Sequence, residues 1–284
     1  MTTTLAYNDH DLIALLGSRI RAQEVLFVLE EIKPVCRIEL APQQLALAQR
    51  FFKEANLAHL SSTITAPEQN DEADATIPAP YVGMMLVYIS KNHSLAQEAR
   101  IAETHFDHQR LGTLLGYPQC CTRFFADSLS EAQQLHHDHT LIAARGSSTF
   151  NPLLNISLQF FDWRIIGHYP CHFNCAASTE QAQQMLRAIG KYNDELSEAI
   201  VNHLRALVLY DDETGVHVFE GVGKRGNDYM YKNVLLTSPN PTHELLAKGD
   251  TIKKVSNNHV EVHAGKEMIG EIKGQTCALL DFLG

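Results

Sequence analysis

Four of the chain's six cysteines fall in two short segments of similar design, GYPQCC (Gly116 to Cys121) and GHYPCHFNC (Gly167 to Cys175). Each sets a Tyr-Pro pair ahead of sulfur. In the first, Gly116 suits the end of one helix and Pro118 the first turn of the next. Cys120 and Cys121 then fall in a first helical turn, where unpaired N–H groups and the helix dipole favour thiolate over thiol. Pro170 gives Cys171 the same expected position. Cys171 and Cys175 are four apart, as are His168 and His172, so a helical turn would bring each pair onto one face.

Four sulfurs and up to two imidazoles make a soft ligand set, suited to zinc or to an iron–sulfur cluster. The expected metal residues are Cys120, Cys121, Cys171 and Cys175, with His168 as a further ligand or as support behind them. The spacing is not the paired Cys-x2–4-Cys knuckle of zinc fingers and ribbons. Adjacent residues point about 100° apart on a helix of 3.6 residues per turn. That makes both Cys120 and Cys121 awkward on one small ion and easier on a wider cluster. Other readings stay open beside the metal. A single cysteine is more often a small buried hydrophobe, but four in two matched turns weaken that reading. A disulfide between the turns is disfavoured in a reducing compartment. A nucleophilic or persulfide-carrying cysteine would need a helix end and a histidine to activate it.

The candidate acid–base groups are His168, His172 and His105. His105 and His108 flank Asp107 in THFDHQR, and a solvated helix face explains that pair better than a site does. The HHDH run (His136 to His139) reads as a polar loop in a histidine-rich chain. Cys36 and Cys277 stand alone in apolar surroundings and read as core. The chain has no GxGxxG opening a βαβ unit, no GxxxxGK[ST], no GxSxG and no thioredoxin-type CxxC. GVGKRG (Gly221 to Gly226) lies between strand-like runs and reads as a hairpin loop.

The segments LGYPQCCTRFF and IGHYPCHFNCAAS resemble an uncharacterised, largely archaeal family, domain of unknown function four-eight-three. In that family a Gly-Tyr-Pro-x-Cys-Cys segment precedes a His-x-Pro-Cys-x-x-x-Cys segment. Gly116, Tyr117, Pro118, Cys120, Cys121, His168, Pro170, Cys171 and Cys175 match the pattern. The resemblance covers about Leu111 to Ser178 and implies that these positions form one unit. It implies no activity.

The elements that must position these residues are legible in outline. Apolar residues recur at helical spacing from Asp11 to about Glu31, with Gly17 weakening or splitting the helix. VCRIEL (Val35 to Leu40) alternates like a strand, and Pro42 opens a second helix. Ser61 to Pro80 is rich in Ser, Thr, Ala, Pro and acidic residues and reads as a flexible loop or linker. Tyr81 to Ser90 reads as a buried strand. Helices are expected over Leu95 to His108, after Pro118, over Ser130 to His137, and from Ser178 to about Arg205. Ser178 and Gln181 have capping-box spacing. After Ala206 the texture turns to strands, with Asn257-Asn258 as a two-residue hairpin turn.

The expected fold is α+β: a mainly helical N-terminal and central part with a few strands, then a small antiparallel β domain. The divisions are 1–60, the linker 61–80, a Cys/His-motif domain 81–205, and the β domain 206–284.

The 284 residues carry a net charge of -10, and neither half is basic, which argues against binding a nucleic-acid backbone. No basic flank precedes an apolar run at the N-terminus and no run could span a bilayer, so the expected compartment is the cytoplasm and no membrane partner is expected. The function expected from all this is a metalloprotein, an enzyme of small-molecule or cofactor metabolism with a small-molecule substrate. The alternative is a metal-stapled binding or scaffold module whose C-terminal sheet presents a partner surface. An open ligand position and a polar pocket would separate the first from the second.

Overall fold

The computed structural model describes residues 9–65, 84–135, 138–211, 213–237 and 240–284. The first helical stretch is split as its glycine forewarned, into α1 (Asp9–Leu16) and α2 (Arg19–Leu29). Gly17 sits at φ +70, in the left-handed region that suits a residue without Cβ, and Ser18 caps α2 by accepting the Arg21 N–H. Then follow β1 (Cys36–Leu40), α3 (Pro42–Glu54), β2 (Ala58–Thr65) and β3 (Met85–Ser90). The three strands form an antiparallel sheet in the order β1-β3-β2. Residues 61–65 are therefore strand rather than loop. Ser61 pairs with Val87 and Thr65 with Met85 of β3, so pairing with the neighbouring strand sets their state. The rest of the expected linker, and the start of the expected strand from Tyr81, lie outside the described residues.

The expected helix from Leu95 to His108 is two helices, α4 (His93–Thr104) and α5 (His108–Leu114). Phe106 takes φ +56 between them, and Asp107 caps α5 by accepting the Arg110 N–H. Next come α6 (Gln119–Asp127), α7 (Leu129–Ala132) with a 3-10 turn to Leu135, and α8 (Thr140–Arg145). Two further 3-10 turns, Pro152–Leu154 and Ile156–Phe161, lead towards the second cysteine segment. The long helix expected after Ser178 is also two, α9 (Ala176–Gly190) and α10 (Asp194–Leu204). Asn193 restarts the second by accepting the Leu196 N–H.

The C-terminal part carries β4 (Leu207–Asp211), β5 (Gly215–Glu220), β6 (Gly223–Arg225), β7 (Asp228–Met230) and β8 (Asn233–Leu236). After α11 (Pro241–Lys248) come β9 (Thr251–Ser256), β10 (His259–Ala264), β11 (Glu267–Lys273) and β12 (Cys277–Asp281). They form two antiparallel sheets, in the orders β12-β4-β5-β8 and β11-β10-β9-β7-β6. Asn257 and Asn258 turn β9 into β10 as expected. Within GVGKRG, residues 223–225 are β6, and Gly226 at φ +63 makes the turn to β7. The fold is α+β.

Burial explains how the parts hold together. Strand β4 is buried on both faces. Leu207 and Leu209 pack towards the five-stranded sheet with Ile252 and Val262. Val208 and Tyr210 instead share a core with Phe27, Cys121, Phe173 and Cys175. The four-stranded sheet is thus a middle layer, apolar on both sides, between the second sheet and the helices that carry the cysteines.

Candidate metal centre and adjoining cleft

The first cysteine segment is built by a helix stop and a helix start. At the end of α5, the Gly116 N–H donates to the Thr113 carbonyl at 3.0 Å and the Tyr117 N–H to the Gly112 carbonyl at 2.9 Å. This is a Schellman closure with Gly116 in the left-handed conformation at φ +74. Pro118 then takes the N-cap of α6 in extended geometry, one residue earlier than a first-turn proline. Cys120 and Cys121 occupy the first turn of α6. A Cβ on Gly112 would stand 2.3 Å from the Thr122 methyl, so this glycine lets α5 and α6 approach closely.

The second segment is not a helical turn. Residues 167–175 are irregular, with a turn closed by the Cys175 N–H on the His172 carbonyl at 3.1 Å. Phe173 anchors it, fully buried, with its N–H donating to Ser147 Oγ at 2.7 Å. Pro170 therefore does not start a helix, and Cys171 lies in the loop. Cys175 is the N-cap of α9. Ser178 is not a cap. It lies in the first turn of α9, wholly buried, and Gln181 donates to the Gly116 carbonyl at 2.6 Å instead of closing a capping box.

Tertiary folding brings the two segments together. The sulfurs of Cys120, Cys121, Cys171 and Cys175 all lie within 4.8 Å of one another. Cys120 Sγ is 3.8 Å from Cys121 Sγ and 3.7 Å from Cys175 Sγ, and the Cys121 and Cys175 sulfurs are 3.8 Å apart. The backbone divergence of neighbouring helical residues is thus no bar to a shared ion. Side chains in a first turn lean back past the N-terminus, where their sulfurs converge. All four cysteines are free thiols, so no disulfide joins the turns. Cys121 and Cys175 are buried, Cys171 is half-buried and Cys120 is exposed. Cys36 and Cys277 are buried away from the group, in core positions.

The electrostatics already favour one thiolate. The Cys121 thiol donates to Cys175, and this, with help from Ser178, outweighs burial and holds Cys175 at about 4. The same hydrogen bond, then burial, pushes Cys121 up, and burial followed by the bond to Cys175 raises Cys171 to about 12. A negative charge is therefore held mainly on the N-cap sulfur, where the helix dipole supports it.

The histidines divide. His168 is not in the sulfur group. Its Nε2 is 2.8 Å from Ser178 Oγ, which in turn is 3.2 Å from Cys121 Sγ. It thus backs the centre through a hydroxyl. Burial, reinforced by Lys33 and Arg164, depresses it to about 3, so it is neutral at ordinary pH. His172 lies beside Cys171 with a buried Nδ1 that has no hydrogen-bond partner. His105 is exposed at the end of α4, with Nδ1 2.9 Å from the Ile101 carbonyl of its own helix. In the HHDH run, His136 and His137 lie outside the described residues. Its second half corrects the polar-loop reading: Asp138 and His139 are buried. Asp138 accepts from the Tyr210 hydroxyl and the Thr140 N–H, and His139 stacks on Phe125.

A cleft of about 600 Å3 opens on the other side of residues 167–169. Its lining includes Arg21, Glu24, Arg37, Tyr117, Arg164 and His168. Glu24 forms a buried ion pair with Lys33, whose side chain is fully enclosed, and Arg164 stands 3.7 Å from the same carboxylate. A Cβ on Gly167 would lie 2.4 Å from Glu24 Oε1, so only glycine lets the loop pass this close.

Sequence reasoning gave Ser178 only a capping role and overlooked Glu24, Lys33 and Arg164. One signal was present: Gln23 and Glu24 interrupt an apolar helical stretch, AQEVLFVL, in which burial is expected at every position. Comparison with known protein families, with characterised proteins and with solved structures finds no match to this chain. No helix among the described residues is long and apolar enough to cross a membrane.

Proposed function

We propose that Cys120, Cys121, Cys171 and Cys175 hold one zinc ion, and that this ion staples the loop of residues 167–175 into place as the wall of a small-molecule cleft. The observation that carries this is the convergence of the four sulfurs within 4.8 Å, with Cys120, Cys121 and Cys175 spaced 3.7–3.8 Å from one another. A tetrahedral ion with metal–sulfur bonds of about 2.3 Å needs sulfurs about 3.8 Å apart. An iron–sulfur cluster instead distributes its thiolates over separate irons and needs a wider set. Four sulfurs complete a tetrahedral shell, so the ion's part is structural and any chemistry belongs to the cleft, which makes an enzyme of small-molecule metabolism the favoured role. The resemblance to the archaeal family is read the same way: its matched positions are the stapled unit.

The test is metal and acid-labile sulfide content, with a visible spectrum, on protein purified without oxygen and without a metal-affinity tag. One zinc per chain, no colour, and loss of the metal in Cys175→Ser are expected. That variant should also lose about 3 kcal/mol or more of stability, because metal binding is coupled to folding. Iron and sulfide in equal amounts would replace zinc with a cluster. No metal, with one thiol alkylating far faster than the rest, would replace the staple with a reactive cysteine. The exposed Cys120 is the group such a reagent would reach first.

A further inference from the structure

We propose that Cys120 is a modification site: a hydroperoxide oxidises its metal-bound sulfur, Cys175 resolves the product as a disulfide, and the zinc leaves the staple. This concerns control of the centre rather than chemistry in the cleft, and it rests on the zinc reading above.

Sulfurs that hold a metal are alike in charge, because a coordinating thiol is deprotonated outright. Access separates these four. Cys121 and Cys175 are buried, Cys171 is half-buried, and Cys120 alone is exposed. Hydrogen bonding separates them in the same sense. Cys121 Sγ stands 3.2 Å from Ser178 Oγ and accepts the Cys171 N–H at 3.4 Å. Among the described residues, the hydrogen-bond partners of Cys120 Sγ are two sulfurs of the same centre. A donated hydrogen bond draws electron density from a ligand sulfur, and Cys120 receives none from nitrogen or oxygen. The sulfur that solvent reaches is thus also the one whose lone pairs are least engaged. Exposed thiolates with a second thiol close by are the ones that oxidise.

The second sulfur is in place. Cys175 Sγ is 3.7 Å from Cys120 Sγ, and the two residues belong to different elements, the N-cap of α9 and the first turn of α6. Cys121 Sγ is nearly as close, at 3.8 Å, but its residue follows Cys120 directly. Consecutive Cα atoms are about 3.8 Å apart, short of the roughly 4.4–6.8 Å that disulfides span. Cys175 is therefore the resolving residue.

The chemistry balances. The Cys120 thiolate attacks one peroxide oxygen: an S–O bond forms, the O–O bond breaks, and hydroxide leaves a sulfenic acid behind. The Cys175 thiolate then attacks the Cys120 sulfur: an S–S bond forms, the S–O bond breaks, and a second hydroxide leaves. Two thiolates lose two electrons, one peroxide gains them, and two protons from solvent turn the hydroxides into water. The ion keeps its oxidation state but only two ligands, and dissociates. Cys171 then loses its tie, whereas Phe173 stays packed against Phe150 and Phe282.

The experiment treats the full, zinc-loaded chain with hydrogen peroxide and reads zinc release with a chromophoric chelator. One zinc should leave per peroxide consumed, and peptide mapping should find Cys120 joined to Cys175, with Cys36 and Cys277 still thiols. With dimedone present to trap sulfenic acid, the adduct should fall on Cys120. Cys120→His offers the ion a nitrogen in place of the oxidisable sulfur, so it should keep zinc and release it about tenfold or more slowly. If that variant does not hold zinc, the dimedone map of the unaltered chain decides. An adduct formed first on another of the four cysteines, a bridge that omits Cys120, or release from Cys120→His at the unaltered rate overturns the proposal. Zinc that stays bound in excess peroxide overturns it too. Zinc content is measured before peroxide is added: a chain without zinc at that point fails the zinc reading, and the adduct map still judges Cys120.

Discussion

The cysteine centre and the charged cleft share the loop of residues 167–169 but are assembled in opposite ways. The centre draws on two compact segments whose residue types announce themselves. Each contributes two sulfurs, Cys120, Cys121 and Cys175 at helix starts and Cys171 in the loop before α9, and each is shaped by a glycine or proline. The cleft draws charged residues from three separated parts of the chain, Arg21 and Glu24 in α2, Arg37 in β1, and Arg164 before the second cysteine segment, with Lys33 enclosed behind Glu24. None of these stands out by spacing. What makes them a site is burial: a surface ion pair is worth little, whereas Glu24 and Lys33 are enclosed and depend on one another. Soft-metal sites leave local signatures because the ligands must be a rare residue type. Charged clefts built from common residues leave almost none.

The contrast can be broken by substitutions on either side of the shared loop. The largest effect is expected from Lys33→Met, which leaves Glu24 buried with only the distant Arg164 for compensation. A loss of about 3–5 kcal/mol in urea unfolding is expected, with metal content unchanged. Glu24→Leu combined with Lys33→Met should recover most of it. Loss of the metal in Lys33→Met alone would show that the two regions are one cooperative site.

Gly167→Ala comes next, because its Cβ would lie 2.4 Å from Glu24 Oε1 and the loop must shift. A cost of about 1–3 kcal/mol in urea unfolding is expected. Unchanged stability would mean that the loop moves freely and does not couple the cleft to the centre. The smallest effect belongs to Ser178→Ala, which removes the hydroxyl between Cys121 Sγ and His168 Nε2. About 1 kcal/mol of stability should be lost. Metal affinity, read by competition with a chromophoric chelator, should fall by about tenfold, as for other groups that support metal ligands. An unaltered affinity would detach His168 from the centre.

Much of the fold was legible in the sequence, and its failures have local causes. The α+β class, the split at Gly17, the strand at Val35 to Leu40 and the Asn257-Asn258 hairpin follow from periodicity and turn chemistry. Two helices were read too long: Phe106 adopts a left-handed φ where neither glycine nor proline marks a break, and after α9 ends on Gly190, Asn193 recaps the chain. Residues 61–65 were read as loop because Ser and Thr carry no apolar pattern, and their strand state comes from pairing with β3.

The candidate site follows the same division. Sequence by itself determined which four sulfurs to group and that Gly116 and Pro118 would start a helix beneath two of them, since those constraints act over a few residues. It could not determine that residues 167–175 are loop, that Ser178 is a buried bridge, or that His168 faces a charged cleft rather than the sulfurs. Those outcomes depend on packing between segments more than a hundred residues apart, as between α2 and the loop before α9. Burial alone turns Glu24 and Lys33 from ordinary charged residues into an enclosed pair behind the cleft that Arg164 also lines.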